Sequence, residues 1–183
     1  PARTFHAEVY FVNLTTQMGI KWGTDSKVRV KDPVNGFYVE LGAGGEFSLK
    51  VCDARRLLMK LVGTTGELSQ QDLLSTEAVG GVTRQTGYFR AMIMTQVKTY
   101  LAQTIRQERI NILEIDEKLS ALSEGLRIPI NQSLADYGLT MPEFYVTRIV
   151  TPDDDENFCR LKQQFADRVL NVREEEILQE TAE

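Results

Sequence analysis

The chain has 183 residues, 42% of them hydrophobic and 26% charged, with two cysteines and a net charge of −5. That length fits one well-buried core, or one domain with an extension, and the mixture is that of a globular rather than a disordered protein. No apolar run reaches the ~18–20 residues that span a bilayer, and no signal-peptide pattern is read within this sequence.

The first third reads as β-structure. Between Thr4 and Val12, Phe5, Ala7, Val9 and Phe11 alternate with His6, Glu8 and Tyr10, the period-two pattern of a half-buried strand. Val28 and Val30 alternate with Lys27, Arg29 and Lys31 in the same way. Phe37, Val39 and Leu41 share one face, as do Phe47, Leu49 and Val51. Between those two runs, Gly42-Ala43-Gly44-Gly45 reads as a hairpin turn able to take positive φ. It is not a phosphate loop, which needs Gly-Lys-Ser/Thr and a following helix, whereas Glu46 and a strand pattern follow here. Lys27, Arg29, Lys31, Glu40 and Lys50 fall on the polar face, where opposite charges can pair across strands. Trp22, in Lys21-Trp22-Gly23-Thr24, reads as a core aromatic beside a turn. Because the sequence starts at Pro1 and opens directly on a strand pattern, it reads as a fragment.

Asp53 is placed to cap a short helix over Ala54 to Leu61, closed by Gly63. Thr64 to Gly87 is polar, with a short helix expected near Ser69 to Leu74. From Tyr88 to Gln107 the helical spacing is clear, with Phe89, Ile93, Val97, Tyr100, Leu101 and Ile105 on one stripe. Ile110 to Ile115 reads as an extended link ending at Asp116, a plausible N-cap. In the helix that follows, Leu119, Leu122, Leu126, Ile130 and Leu134 hold the apolar face. A kink is expected at Pro129, whose ring presses on the Gly125 carbonyl, and the helix stops at Gly138.

Phe144 to Val150 reads as a strand. Thr151 then suits an N-cap, Pro152 the first helical position and Asp154 a capping box, opening a long last helix. Asp153-Asp154-Asp155-Glu156 therefore reads as a helix start rather than a metal site, since the glycine and distal glutamate of a calcium loop are missing. Along that helix Phe158, Leu161, Phe165, Val169 and Val172 are spaced three, four, four and three apart, then give way to Arg173-Glu174-Glu175-Glu176. The stripe is too short for a self-sufficient coiled coil and reads as a packing or assembly surface. Its first members are expected to dock on the chain's own domain, and those beyond Phe165 on a neighbour.

Charge is unevenly spread. From Pro152 to Glu183 ten acids face four bases, a net −6, which leaves the rest of the chain at +1. Neither part has the clustered Lys and Arg of a nucleic-acid footprint. His6 is the only histidine, so a catalytic triad or a histidine metal site would have to be built around one strand residue, and a structural role is expected. Cys52 and Cys159 lie far apart without Cys-x-x-Cys context, which reads as two thiols in a reducing compartment rather than a zinc site or a disulfide framework. No catalytic, cofactor or metal residue is expected.

The expected fold class is α+β: a mixed or antiparallel sheet flanked by helices, with an α+β domain over 1–151 and an acidic amphipathic helix over 152–183. This order of elements resembles the stomatin–prohibitin–flotillin (SPFH, or prohibitin-homology) domain, and within it the bacterial "virion core protein-like" branch. The matching segments are Ala7 to Asn13 with Lys21-Trp22-Gly23-Thr24, Phe47 to Gly63, Tyr88-Phe89-Arg90, and Tyr137-Gly138-Leu139 followed by the strand and Thr151-Pro152. The resemblance implies a non-enzymatic scaffold that self-associates and organises membrane-associated partner proteins. It places the chain in the cytoplasm or at the inner face of the cell membrane. It also implies that membrane contact is indirect or made by segments outside this sequence, and that a zinc-ribbon can follow downstream. A soluble protein-binding module without self-assembly is the alternative. An enzyme would require a deep polar cavity with convergent ionisable groups.

Overall fold

One strand organises the sheet. In the computed structural model, which describes residues 3–61 and 88–182, β3 (Tyr38–Val51) runs for 14 residues. It pairs antiparallel with β1 (Gln17–Gly23), β2 (Val28–Lys31), β4 (Leu139–Thr140) and β5 (Phe144–Val150). The strand order is β1-β3-β2, with β4 and β5 also paired to β3. The fold is α+β, and the sheet is antiparallel rather than mixed.

The helices follow from the apolar periodicity. α1 (Ala54–Leu61) starts after Asp53, whose carboxylate accepts from the Arg56 N–H at 3.0 Å, an N-cap as the residue type predicts. α2 (Tyr88–Gln107) buries Phe89, Ile93, Val97, Leu101 and Ile105. α3 (Leu119–Ala135) buries Leu122, Leu126, Ile130 and Leu134. It runs unbroken through Pro129. α2 packs on α3 and β2, and α3 packs on β5, so the two helices cover one face of the sheet. That face supplies Val39, Leu41, Ala43, Phe47 and Leu49 of β3. α3 closes at Gly138, which takes φ of 67° and brings its Cα against the Asp53 carbonyl, two reasons for glycine there.

Four expectations change. Gly42-Ala43-Gly44-Gly45 is not a turn but the middle of β3, paired on one edge with β1 and on the other with β5. Close approach, rather than positive φ, is why glycine stands there. A β-bulge puts Thr147 opposite no residue of β3, since Gly44 faces Arg148 and Gly45 faces Val146. The bulge drives the Tyr145 carbonyl onto Gly45, where any Cβ would overlap it. The Trp22 indole, opposite Gly45 in β1, donates to that same carbonyl at 3.2 Å and stacks on Phe144 at 5.1 Å. Trp22 is thus a core aromatic, 3% exposed.

Residues 3–14, expected to include a strand from Thr4 to Val12, carry no strand. Alternation alone makes no ladder; the first pairing begins at Gln17, and Phe5 and Phe11 are fully open to solvent. Ile110 to Ile115 is not an extended link. From Ile112 on it is a 3-10 helix (Ile112–Glu117) capped by Asn111, whose side chain accepts from the Leu113 N–H. Asp116 lies inside that turn, and α3 begins at Leu119 without a side-chain cap. The fourth change is the start of α4 (Glu156–Ala182), four residues later than the Pro152 expected. Asp155 is its N-cap, accepting from the Asn157 N–H at 2.8 Å, while Thr151 donates to Asp153 within the preceding turn. The expected closure at Gly63 and the short helix at Ser69 to Leu74 lie outside the described residues.

Candidate interaction surfaces

The first candidate is α4. Its 27 residues rise about 40 Å at 1.5 Å per residue. Phe158 is 4% exposed and meets Phe37 edge-on at 6.4 Å. Leu161 and Phe165 are half-buried, and every described residue from Ala166 onward is exposed. Val169 and Val172 of the predicted stripe therefore stand in solvent, as do Leu170, Ile177 and Leu178. Projected at 100° per residue, Ala166, Leu170 and Ile177 lie on a second face roughly 120° from the first, which the stripe reading missed. The signal was present in the sequence, hidden by the acids between.

The second candidate is the sheet face that α2 and α3 leave open. Strand alternation puts Tyr38, Glu40, Glu46 and Lys50 of β3 there, beside Lys21 of β1, Arg29 and Lys31 of β2, and Tyr145, Arg148 and Val150 of β5. Lys21 stands opposite Glu46, and Arg29 opposite Glu40. The cations of β2 turn instead to the exposed Tyr38 ring, with Arg29 Cζ at 4.8 Å and Lys31 Nζ at 5.9 Å from its centre. Arg148 lies across Gly44, where a Cβ would come within 2.5 Å of Nε. Five cations and two carboxylates make this face net positive by three.

Sequence reasoning also missed the polar ties that set the sheet against its helices. The Ser123 hydroxyl donates to the Leu119 carbonyl in α3 and accepts from the Val146 N–H, which the β5 bulge leaves free, at 2.9 Å. Asn131 reaches from α3 to both backbone groups of Met141. Arg90 at the start of α2 donates through both terminal nitrogens to the Lys21 carbonyl at 3.1 Å. Ser123 and Asn131 sit mid-helix and Arg90 in a first turn, with no local periodicity to flag their distant partners.

The residues with reactive potential are scattered. His6 is exposed in the segment before β1 rather than held in a strand. Cys52 and Cys159 are free and exposed. Asp153 and Asp155 serve the turn and the α4 cap. Among the described residues, no group of three or more His, Cys, Asp and Glu side chains is arranged to hold a metal ion. Among them, too, no helix is long and apolar enough to cross a membrane.

Residues 2–166 match the family model described as the SPFH domain–Band 7 family. The match runs from the segment before β1 to the point on α4 where burial ends. No curated protein matches the chain.

Proposed function

The chain belongs to the SPFH domain–Band 7 family, and from that membership we propose that it is a non-enzymatic assembly domain, which self-associates and organises partner proteins at the cytoplasmic face of a membrane. One observation carries the reading: α4 leaves its own domain after Phe165 with Val169, Leu170, Val172, Ile177 and Leu178 uncovered. Most helical stability in proteins comes from packing an apolar face rather than from propensity. Among the described residues nothing packs on this helix end, so it would gain that packing from another molecule. Within the family, the proposed branch is the bacterial one labelled "virion core protein-like", supported by the Ala7 to Asn13 and Lys21 to Thr24 segments. Membrane contact is proposed to be indirect, or made through segments outside this sequence.

Sedimentation velocity over a hundredfold range of protein concentration tests the reading. A mass that rises with concentration supports it, and Val169→Asp with Val172→Asp then lowers that mass while leaving the fold intact by circular dichroism. A monomer throughout removes self-association and leaves a soluble protein-binding module.

A further inference from the structure

The two candidate surfaces complement each other, and one molecule cannot bring them together. The end of α4 from Ala166 to Ala182 carries five acids (Asp167, Glu174, Glu175, Glu176 and Glu180) against Arg168 and Arg173, a net −3, interleaved with exposed Val169, Leu170, Val172, Ile177 and Leu178. The open sheet face carries Lys21, Arg29, Lys31, Lys50 and Arg148 against Glu40 and Glu46, a net +3, interleaved with exposed Tyr38, Tyr145 and Val150. α4 is a continuous helix anchored at Phe158, so its far end points away from its own sheet and cannot fold back onto it.

We propose that the acidic end of α4 docks on the open sheet face of a second copy of this chain. This rests on the self-association proposed above and names the surfaces that make it. The occupant is another copy because both halves of the complementary pair are present on one chain, and among the described residues neither half meets a counterpart within it. Gly42 and Gly44 add no side chain between Tyr38 and Tyr145, so Val150 and the Arg148 side chain, which lie over them, form the middle of the face. A helix laid there sets its valines and leucines on the two tyrosines and Val150, and its glutamates toward Arg29, Lys31 and Arg148. Because the helix of one copy meets the sheet of the next, the contact is heterologous. Repeated, it closes into a ring or extends as a filament rather than stopping at a two-fold dimer. Charge steers and registers such a contact, so it weakens as salt shortens the screening length.

Charge reversal on each surface, measured by sedimentation at several salt concentrations, tests the proposal. The helix variant is Glu174→Lys with Glu175→Lys and Glu176→Lys; the face variant is Arg29→Glu with Lys31→Glu, all at exposed positions. Each set is expected to weaken association about tenfold or more, since like charges then face each other. Both sets combined in one chain restore it, because the pairs re-form with their signs exchanged. Assembly of the parent protein that ignores the face variant, or a helix variant that the face variant fails to rescue, overturns the docking and leaves self-association standing. A parent protein that is monomeric at every concentration and salt overturns both. Melting curves of the monomers confirm that the exposed reversals leave each fold intact.

Discussion

The Asp32 carboxylate accepts a hydrogen bond from the backbone N–H of Ile112, 3.1 Å away and 80 positions further along the chain. Asp32 is wholly buried and, among the described residues, forms no ion pair; its other partners are the N–H groups of Val34 and Asn35 and the Asn35 side-chain amide. Four donors replace the water that a buried carboxylate would otherwise need. The same carboxylate thus shapes the β2–β3 turn and pins the 3-10 helix to it. Asn35 extends the tie by donating to Asn111, the cap of that 3-10 helix, at 2.9 Å.

Asp32→Ala strands those donors in the interior and is expected to cost on the order of 3 kcal/mol. Asp32→Asn keeps one acceptor oxygen and is expected to cost less than the alanine change. Urea denaturation of both variants gives the comparison, and equal losses would show that the oxygen kept by asparagine satisfies none of those donors.

Gly44 and Gly45 are expected to respond differently to alanine. At Gly45 the new methyl meets the Tyr145 carbonyl, which belongs to backbone held by the Trp22 indole and cannot yield. At Gly44 it meets the end of the exposed Arg148 side chain, which can swing aside. Gly45→Ala should therefore fall at or beyond the upper end of the ~1–3 kcal/mol usual for overpacking, and Gly44→Ala at or below its lower end. Adding Arg148→Ala should recover stability lost in Gly44→Ala and none of that lost in Gly45→Ala. Thermal melts of the four variants check this, and the reverse order would remove the bulge argument.

Phe158→Ala removes a ring that is 4% exposed and packed on Phe37, so about 3–5 kcal/mol is expected from lost transfer energy and the cavity left behind. Its melting temperature should drop by the same amount at every protein concentration, because the contact lies within the subunit. Val172→Ala, at a solvent-exposed position of the same stripe, should leave the monomer within about 0.5 kcal/mol of the parent. A concentration-dependent drop for Phe158→Ala would move that contact to the interface between copies.

Asp25 carries a pH signature. The Lys98 ammonium donates to its carboxylate and to the Ser26 hydroxyl, tying the β1–β2 loop to α2, and this hydrogen bond holds the Asp25 carboxyl below its usual range. A depressed carboxylate contributes stability above the unfolded value of about 3.9, lost as pH falls through the folded one. Lys98→Ala should return the Asp25 titration upward, as read from its side-chain carboxyl carbon by NMR. An unmoved titration would mean that solvent has already screened the contact.

Much of this protein was legible one segment at a time. The stripes of α2 and α3, the alternation of β2, the strand run of β5, the Asp53 cap and the Gly138 stop are each decided by residues within a turn or two, so local spacing reveals them. The α+β class and the family resemblance follow from their order. Of the α4 surface, the sequence showed the Phe158 to Val172 stripe and the acidic run after it. It did not show where on the stripe burial would end.

The remainder depends on neighbours distant in the chain. Gly42 to Gly45 has the composition of a turn, yet β1 and β5 pair on both of its edges and make it the centre of the longest strand; only their approach selects glycine there. Thr4 to Val12 has the pattern of a strand, but alternation supplies a face and not a partner, and without a ladder no strand forms. The α4 cap lies at Asp155 rather than Thr151, and the first turn that follows it carries Phe158 onto Phe37, a partner far away in the chain. Periodicity determines which face of an element is apolar. Which elements meet, and so which faces remain open for a second molecule, is decided by backbone pairing and close packing across the whole chain.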